Sequence, residues 1–280
     1  MKTSRTNLSL MVCSVLALAS AAEAQSLFAV GANPNVLYSV DVTTGDLAAV
    51  GGYSLTEPGS ELFLGGLEFG PNGTLFGVSV GPRARLYSID PVNAAANAIG
   101  LMNEFSFEGA VAFDPNTGAM FGANGRNANV PTLYTIDPLT GQATPLGIIS
   151  GGPHDFNGFG FDTNGDLFGL DRVTNSLWKI DKTNPWGAGT MQVGSSFGPG
   201  LQIGSFGGMT VDPVSGQAFG YAGGSRTLFA VSLLTGVTTV IRQYAAGSPN
   251  LMGLAFIPEP CALSLMMLAG VVLAVRRRRR

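Results

Sequence analysis

One histidine, His154, and two cysteines at opposite ends of the chain, Cys13 and Cys261, set narrow limits on chemistry. Between those ends no thiol is available for catalysis or iron–sulfur ligation. A single imidazole cannot supply a multi-histidine metal site. A serine triad would have to use His154, and no Gly-x-Ser-x-Gly elbow surrounds a plausible strand-to-helix turn. His154-Asp155 reads as a surface pair in a loop between repeats. No phosphate-binding loop or dinucleotide fingerprint is present. These residue types point to no catalytic set, no metal and no cofactor.

The stretch from Asp162 to Asp166 (Asp-Thr-Asn-Gly-Asp) has the look of a calcium-loop fragment. It lacks the later bidentate glutamate, and its sister turns lack the second aspartate, so a β-turn with satisfied aspartates is the expectation. Residues 25–257 carry eight basic side chains against sixteen acidic ones, the chain's eighteen less Glu23 and Glu259, a net of −8. An acidic body argues against nucleic acid as a partner. Forty glycines and few charges, with frequent Val, Phe and Thr, favour short strands and tight turns over helices.

Two patterns alternate along that body. One is Gly66-Leu67-Glu68-Phe69 followed by Leu75-Phe76-Gly77, with further copies beginning at Gly109, Gly158 and Gly208. The other is Leu37-Tyr38-Ser39-Val40-Asp41, which returns at Leu86, Leu133, Leu177 and Leu228. Successive starts of the second pattern are 49, 47, 44 and 51 residues apart, the period of a four-stranded propeller blade. Each repeat divides into strands: Gly-x-x-Phe, Leu-Phe-Gly, Leu-Tyr-x-Ile-Asp, and a weaker run ending near Val50-Gly51 or Ile99-Gly100. Asp-Pro-Asn-Thr-Gly links are hairpin turns.

The ends of the body complement each other. Residues 27–30 are a second strand with no first strand before them, and residues 253–256 are a first strand with no second after them. Pairing these fragments closes a ring, so the fold expected is an all-β, five-bladed β-propeller over residues 25–257. Closure leaves only short protected edges, which matters for a body without disulfides.

On this map Glu68 and Glu108 are the acids near the expected channel mouth. A paired-carboxylate glycosidase would need two acids to converge there from separate blades. Arg83, Arg85, Arg126, Arg172 and Arg226 fall in the links between second and third strands, with Arg242 in an interblade connection at the same end. Loops on a rigid scaffold are where binding concentrates, and guanidinium groups suit carboxylates and sulfates. The five link arginines are therefore candidates for an anionic exopolysaccharide ligand. The competing reading is that they pair with neighbouring acids in wet loops.

Both ends of the chain look like addresses. Lys2 and Arg5 precede an apolar run over residues 8–22, and Ala22-Glu23-Ala24 has the form of a signal-peptidase site, so residues 1–24 read as a secretory leader. At the other end Pro258-Glu259-Pro260 precedes fifteen uncharged residues, 261–275, and then Arg276, Arg277, Arg278, Arg279 and Arg280. As a helix that run reaches about 22 Å, short of the roughly 30 Å hydrocarbon core. Snorkelling arginines lengthen its effective span, and the positive-inside rule leaves the arginines cytoplasmic.

Residues 258–280 resemble the PEP-CTERM sorting signal in all three parts and in their order. Ile257 stands where valine is common before the motif. The resemblance implies export through the general secretion machinery and recognition by an exosortase, a transpeptidase-like membrane protease. It further implies transient anchoring in the inner membrane through residues 261–275, then a place at the cell surface or in an extracellular matrix. The role expected of the body is non-enzymatic, binding or structural, with exopolysaccharide as partner. The alternatives are a carbohydrate-active enzyme on a five-bladed propeller and a passive spacer.

Overall fold

The computed structural model describes residues 26–55, 63–80, 83–103, 107–124 and 131–257. The leader with Ala22 and Ala24, the tail from Pro258 onward, and Arg126 lie outside the described residues. Among the described residues no helix is long and apolar enough to cross a membrane.

The chain begins with β1 (Ser26–Ala32), β2 (Val36–Asp41) and β3 (Leu47–Gly52). Next come β4 (Leu64–Phe69), β5 (Leu75–Ser79), β6 (Arg85–Ile89) and β7 (Ala96–Leu101). The third group is β8 (Phe107–Phe113), β9 (Met120–Asn124), β10 (Thr132–Ile136) and β11 (Ala143–Ile148). The fourth is β12 (Phe156–Phe161), β13 (Leu167–Asp171), β14 (Ser176–Ile180) and β15 (Met191–Val193). The fifth is β16 (Gly207–Val211), β17 (Ala218–Ala222), β18 (Thr227–Val231) and β19 (Thr238–Gln243), and β20 (Asn250–Phe256) ends the body.

These strands form five four-stranded sheets, and β20 joins the first of them in the order β20-β1-β2-β3. Leu27 pairs with Phe256 and Ala29 with Leu254, antiparallel. The two ends of the body thus complete one blade, as the fragmentary repeats predict, and the fold is a five-bladed β-propeller. Blade 1 is this shared sheet; blades 2 to 5 follow in chain order.

The inner strands β4, β8, β12, β16 and β20 pack side by side around the axis. Glycine permits their close approach. A Cβ on Gly158 would stand 2.2 Å from the Met209 nitrogen, and one on Gly253 would stand 2.6 Å from the Leu67 nitrogen. Between blades lie five apolar cores, one per interface. Phe28, Leu64 and Tyr87 fill the first, between blades 1 and 2. Phe121, Phe159 and Trp178 fill that between blades 3 and 4, and Tyr38, Tyr221 and Leu254 that between blades 5 and 1. Burial across these interfaces, at roughly 25 cal/mol per Å² of apolar surface, holds together a body without disulfides.

The hairpin turns behave as their composition demands. Asp90 and Asp137 accept the N–H two residues on, at 2.8 and 2.9 Å. Gly141, at φ 77°, returns a 2.8 Å bond to the Asp137 carbonyl. The outer strands carry a recurring bulge. The register shifts after Leu37, Leu86, Leu133 and Leu228, leaving Val50, Ile99, Leu146 and Ile241 as the extra residues. The residue after each bulge, at Gly51, Gly100 and Gly147, then meets the next blade's outer turn. A Cβ on Gly100 would lie 2.0 Å from the Thr140 carbonyl oxygen. The Val-Gly and Ile-Gly ends seen in the sequence are these docking points.

Candidate functional site

The strand order puts the β5–β6, β13–β14 and β17–β18 links at the same end as the interblade connections. Arg83 is exposed there. Arg85 starts β6, half-buried, with its N–H donated to Ser79 Oγ at 3.0 Å. Arg172 donates from Nε to Asp155 Oδ2 across to the β11–β12 connection, with about a third of its side chain exposed. Arg226, at φ 52°, donates from Nη1 to the Ser248 carbonyl in the β19–β20 connection at 2.6 Å. Two of the candidate arginines therefore tie a link to the connection beside it.

Arg242 lies on β19 rather than in a connection. It occupies the docking position that glycine fills after other bulges. Its guanidinium bonds Asp46 and the Thr44 carbonyl and stands 5.8 Å from the Tyr244 ring centroid.

His154 is not at the surface; it is buried, against expectation. Its ring stacks on Phe156 at 5.2 Å and meets the edge of Trp178 at 4.3 Å. Nδ1 lies 3.0 Å from Asp171 Oδ2 and Nε2 lies 3.1 Å from the Ser150 carbonyl. The ring is thus held at both nitrogens, by a carboxylate and by a backbone carbonyl. The aromatic walls explain the burial: Phe156 begins an inner strand, and the loop before it folds under the blade 3–4 core. Asp171 also accepts from the Asp155, Val173 and Thr174 N–H groups and the Thr174 hydroxyl. Burial alone would raise the Asp171 carboxyl, but the His154 bond and these donors together hold it below the usual range.

Glu68 stands on inner strand β4 opposite Phe76. The register-equivalent residues, each opposite a phenylalanine, are Ala112, Gly160, Thr210 and Ala255. Glu68 is thus the one acid at this level of the ring, and no second carboxylate meets it in register. Burial pushes its carboxyl up to about 8, opposed by the Phe69 N–H, which donates to Oε1 at 3.0 Å. At neutral pH it is mostly a neutral acid. The Glu108 side chain lies outside the described residues. Asp162 accepts from the Asn164 and Asp166 N–H groups, and Asp166 pairs with Lys179; this is an ordinary capped turn.

One turn departs from the repeat. The link between β14 and β15 spans residues 181–190, whereas its sister turns are about half as long. It carries Trp186 to the docking position over Gly147, and an open groove of ≈ 460 Å³ lies between Trp186 and residues 148–153. The extra length of this link and its tryptophan are both visible in the sequence.

The fold has solved counterparts at low identity. A chain from a nidogen–laminin complex aligns with a TM-score of 0.55 and 12% identity, over 85% of this chain and all of that one. A protein of unknown function from Bacteroides thetaiotaomicron gives 0.54 and 15%, over 86% of this chain and 64% of that one. TolB from Acinetobacter baumannii gives 0.51 and 14%, over 92% and 75%. At such identities the likeness is of fold alone. No protein-family model and no curated protein matches the sequence.

Proposed function

We propose that this propeller is an exported protein sorted by an exosortase to the cell surface or extracellular matrix, where it binds or builds without catalysing a reaction. The observation that carries this reading is the tail: Pro258-Glu259-Pro260, the uncharged run 261–275, and the arginine block ending at Arg280. The leader with its Ala22 and Ala24 site supports passage through the general secretion machinery. On this reading the division is leader 1–24, propeller 25–257 and sorting signal 258–280, with a transient inner-membrane anchor at 261–275. Anionic exopolysaccharide is the partner, met first by the arginines that keep exposed surface, Arg83 and Arg172, together with Arg126. Arg85 and Arg226 shape the same end. A cell-fractionation experiment in an exosortase-bearing, polysaccharide-secreting host tests the sorting. Wild type should reach the surface fraction and Glu259→Ala should stay with the membrane; equal distribution of the two would refute the idea. Retention on an anionic polysaccharide, unchanged in an Arg126→Ala/Arg172→Ala variant, would end the arginine part alone.

A second reading is favoured by one observation, the Glu68 carboxyl raised to about 8. A neutral acid on an inner strand has the protonation state a glycosidase general acid needs. The lack of a second acid at its register stands against it. Turnover of a glycan that Glu68→Gln abolishes would move the balance to this reading.

A further inference from the structure

We propose that the groove between blades 3 and 4 is a binding site for the ring of a neutral sugar, stacked on Trp186. This inference rests on the propeller surface and does not depend on the sorting tail or the arginines.

Four observations converge. Trp186 is 60% exposed, although the other tryptophan, Trp178, is buried with its indole N–H donated to Thr174 and Ser176. A large aromatic left in water on a loop longer than its sisters is the departure from repeat where function is expected. Secondly, the indole is seated. A Cβ at Gly147 would lie 2.3 Å from Trp186 Cζ3, so only glycine admits the ring there, and its inner side rests on the backbone. A platform held in advance loses little freedom on binding.

Thirdly, the opposite wall is held in place and mostly apolar, with the backbone of residues 150–152 as its small polar part. The Ser150 N–H donates to the Pro185 carbonyl at 2.9 Å and its hydroxyl to the Gly187 carbonyl at 3.2 Å. The Ser150 carbonyl in turn is held by buried His154. Gly151 and Gly152 follow at φ 106° and 125°. Among the described residues, no group hydrogen-bonds the N–H or C=O of either glycine. A Cβ on Gly152 would meet nothing within 4 Å.

Fourthly, no charged side chain lines the groove, in a body that is acidic overall. An anion or cation would find no counter-charge there. A wholly apolar ligand would leave the glycine backbone groups dry and unpaired, which is unfavourable. A pyranose meets both demands. Its C–H face carries small positive partial charges suited to the negative face of indole, and its hydroxyls reach the free backbone groups. The volume lies within the range of small-ligand pockets, with room for a short oligosaccharide.

The test titrates the full-length protein with short neutral cello-, malto- and laminari-oligosaccharides, following tryptophan emission and heat. At least one series should give a saturable change. Trp186→Ala should raise its half-saturation concentration about tenfold or more, while Trp186→Tyr, which keeps a stacking face, recovers most of it. Unaltered Trp178 emission confirms that the variants are folded. Retention on anionic polysaccharide should not change in Trp186→Ala. No response to any of the three series, or equal affinity in wild type and Trp186→Ala, would overturn the proposal. Saturation by an apolar dye without any response to sugars would do the same.

Discussion

His154 and Asp171 meet through a 3.0 Å contact, Nδ1 to Oδ2, with neither side chain exposed to solvent. The pair joins the loop entering an inner strand to the end of the neighbouring second strand. It fixes the loop on which the groove beside Trp186 depends, because His154 also holds the Ser150 carbonyl.

Removing Asp171 should be costly. Asp171→Ala strips the acceptor from five donors: His154 Nδ1, the N–H groups of Asp155, Val173 and Thr174, and the Thr174 hydroxyl. Leaving a buried donor without its acceptor costs about 1–3 kcal/mol, and several are stranded together here. Urea unfolding should show a loss of that order; a loss below about 1 kcal/mol, the scale of an exposed pair, would mean that the cluster is not held as described.

Glu68 sets the sign of the pH dependence on the alkaline side. Its folded carboxyl is raised to about 8 from an ordinary 4.5. The stability it contributes is fully present below pH 4.5 and is lost as pH rises through 8. Because the residue as a whole is only partly buried, the loss is on the order of 2–3 kcal/mol. Glu68→Gln should remove this slope while leaving the acid arm. That arm comes from Asp114 and Asp171, whose carboxyls are lowered from 3.8, so their stability is lost as pH falls below that value. Denaturation at pH 5 and pH 9 compares wild type with variant directly.

Close approach of the inner strands gives a contrast between two glycines. Gly158→Ala would put its Cβ 2.2 Å from the Met209 nitrogen, backbone that cannot swing aside, whereas the same change at Gly200 meets nothing within 4 Å. Gly158→Ala should destabilise by about 3 kcal/mol or more, and Gly200→Ala by less than about 0.5 kcal/mol. Thermal melts of the two variants side by side check this.

Much of the architecture was legible because the repeat is regular where the backbone is most constrained. Leu37-Tyr38 and its copies mark third strands, Asp137 and its sisters mark turns, and residues 27–30 and 253–256 announce their own pairing. What failed was the placement of side chains that break the repeat. His154 looked like a wet loop residue because loop composition says nothing of what folds beneath it; the aromatic wall of Phe156 and Trp178 comes from two different strands. Arg242 reads as part of a connection because its strand carries Arg-Gln where others end in glycine, and only the bulge register reveals the shared docking position. Glu68 stood out in sequence as a charge on an inner strand, but its isolation depends on Ala112, Gly160, Thr210 and Ala255 falling at one level, which requires the register. Trp186 is visible in sequence only as an anomaly of loop length, because turn composition does not show that the longer link reaches over Gly147 of the preceding blade.

The most direct measurement is the intact mass of the protein recovered from the outer surface of a host that carries an exosortase. The recovered chain should start after Ala24 and should have lost the segment following the Pro258-Glu259-Pro260 motif, including the five terminal arginines. The same species should be missing when Glu259 is replaced by alanine or when the exosortase is deleted. A surface product that still carries Arg280, or one trimmed identically without the exosortase, would contradict exosortase sorting.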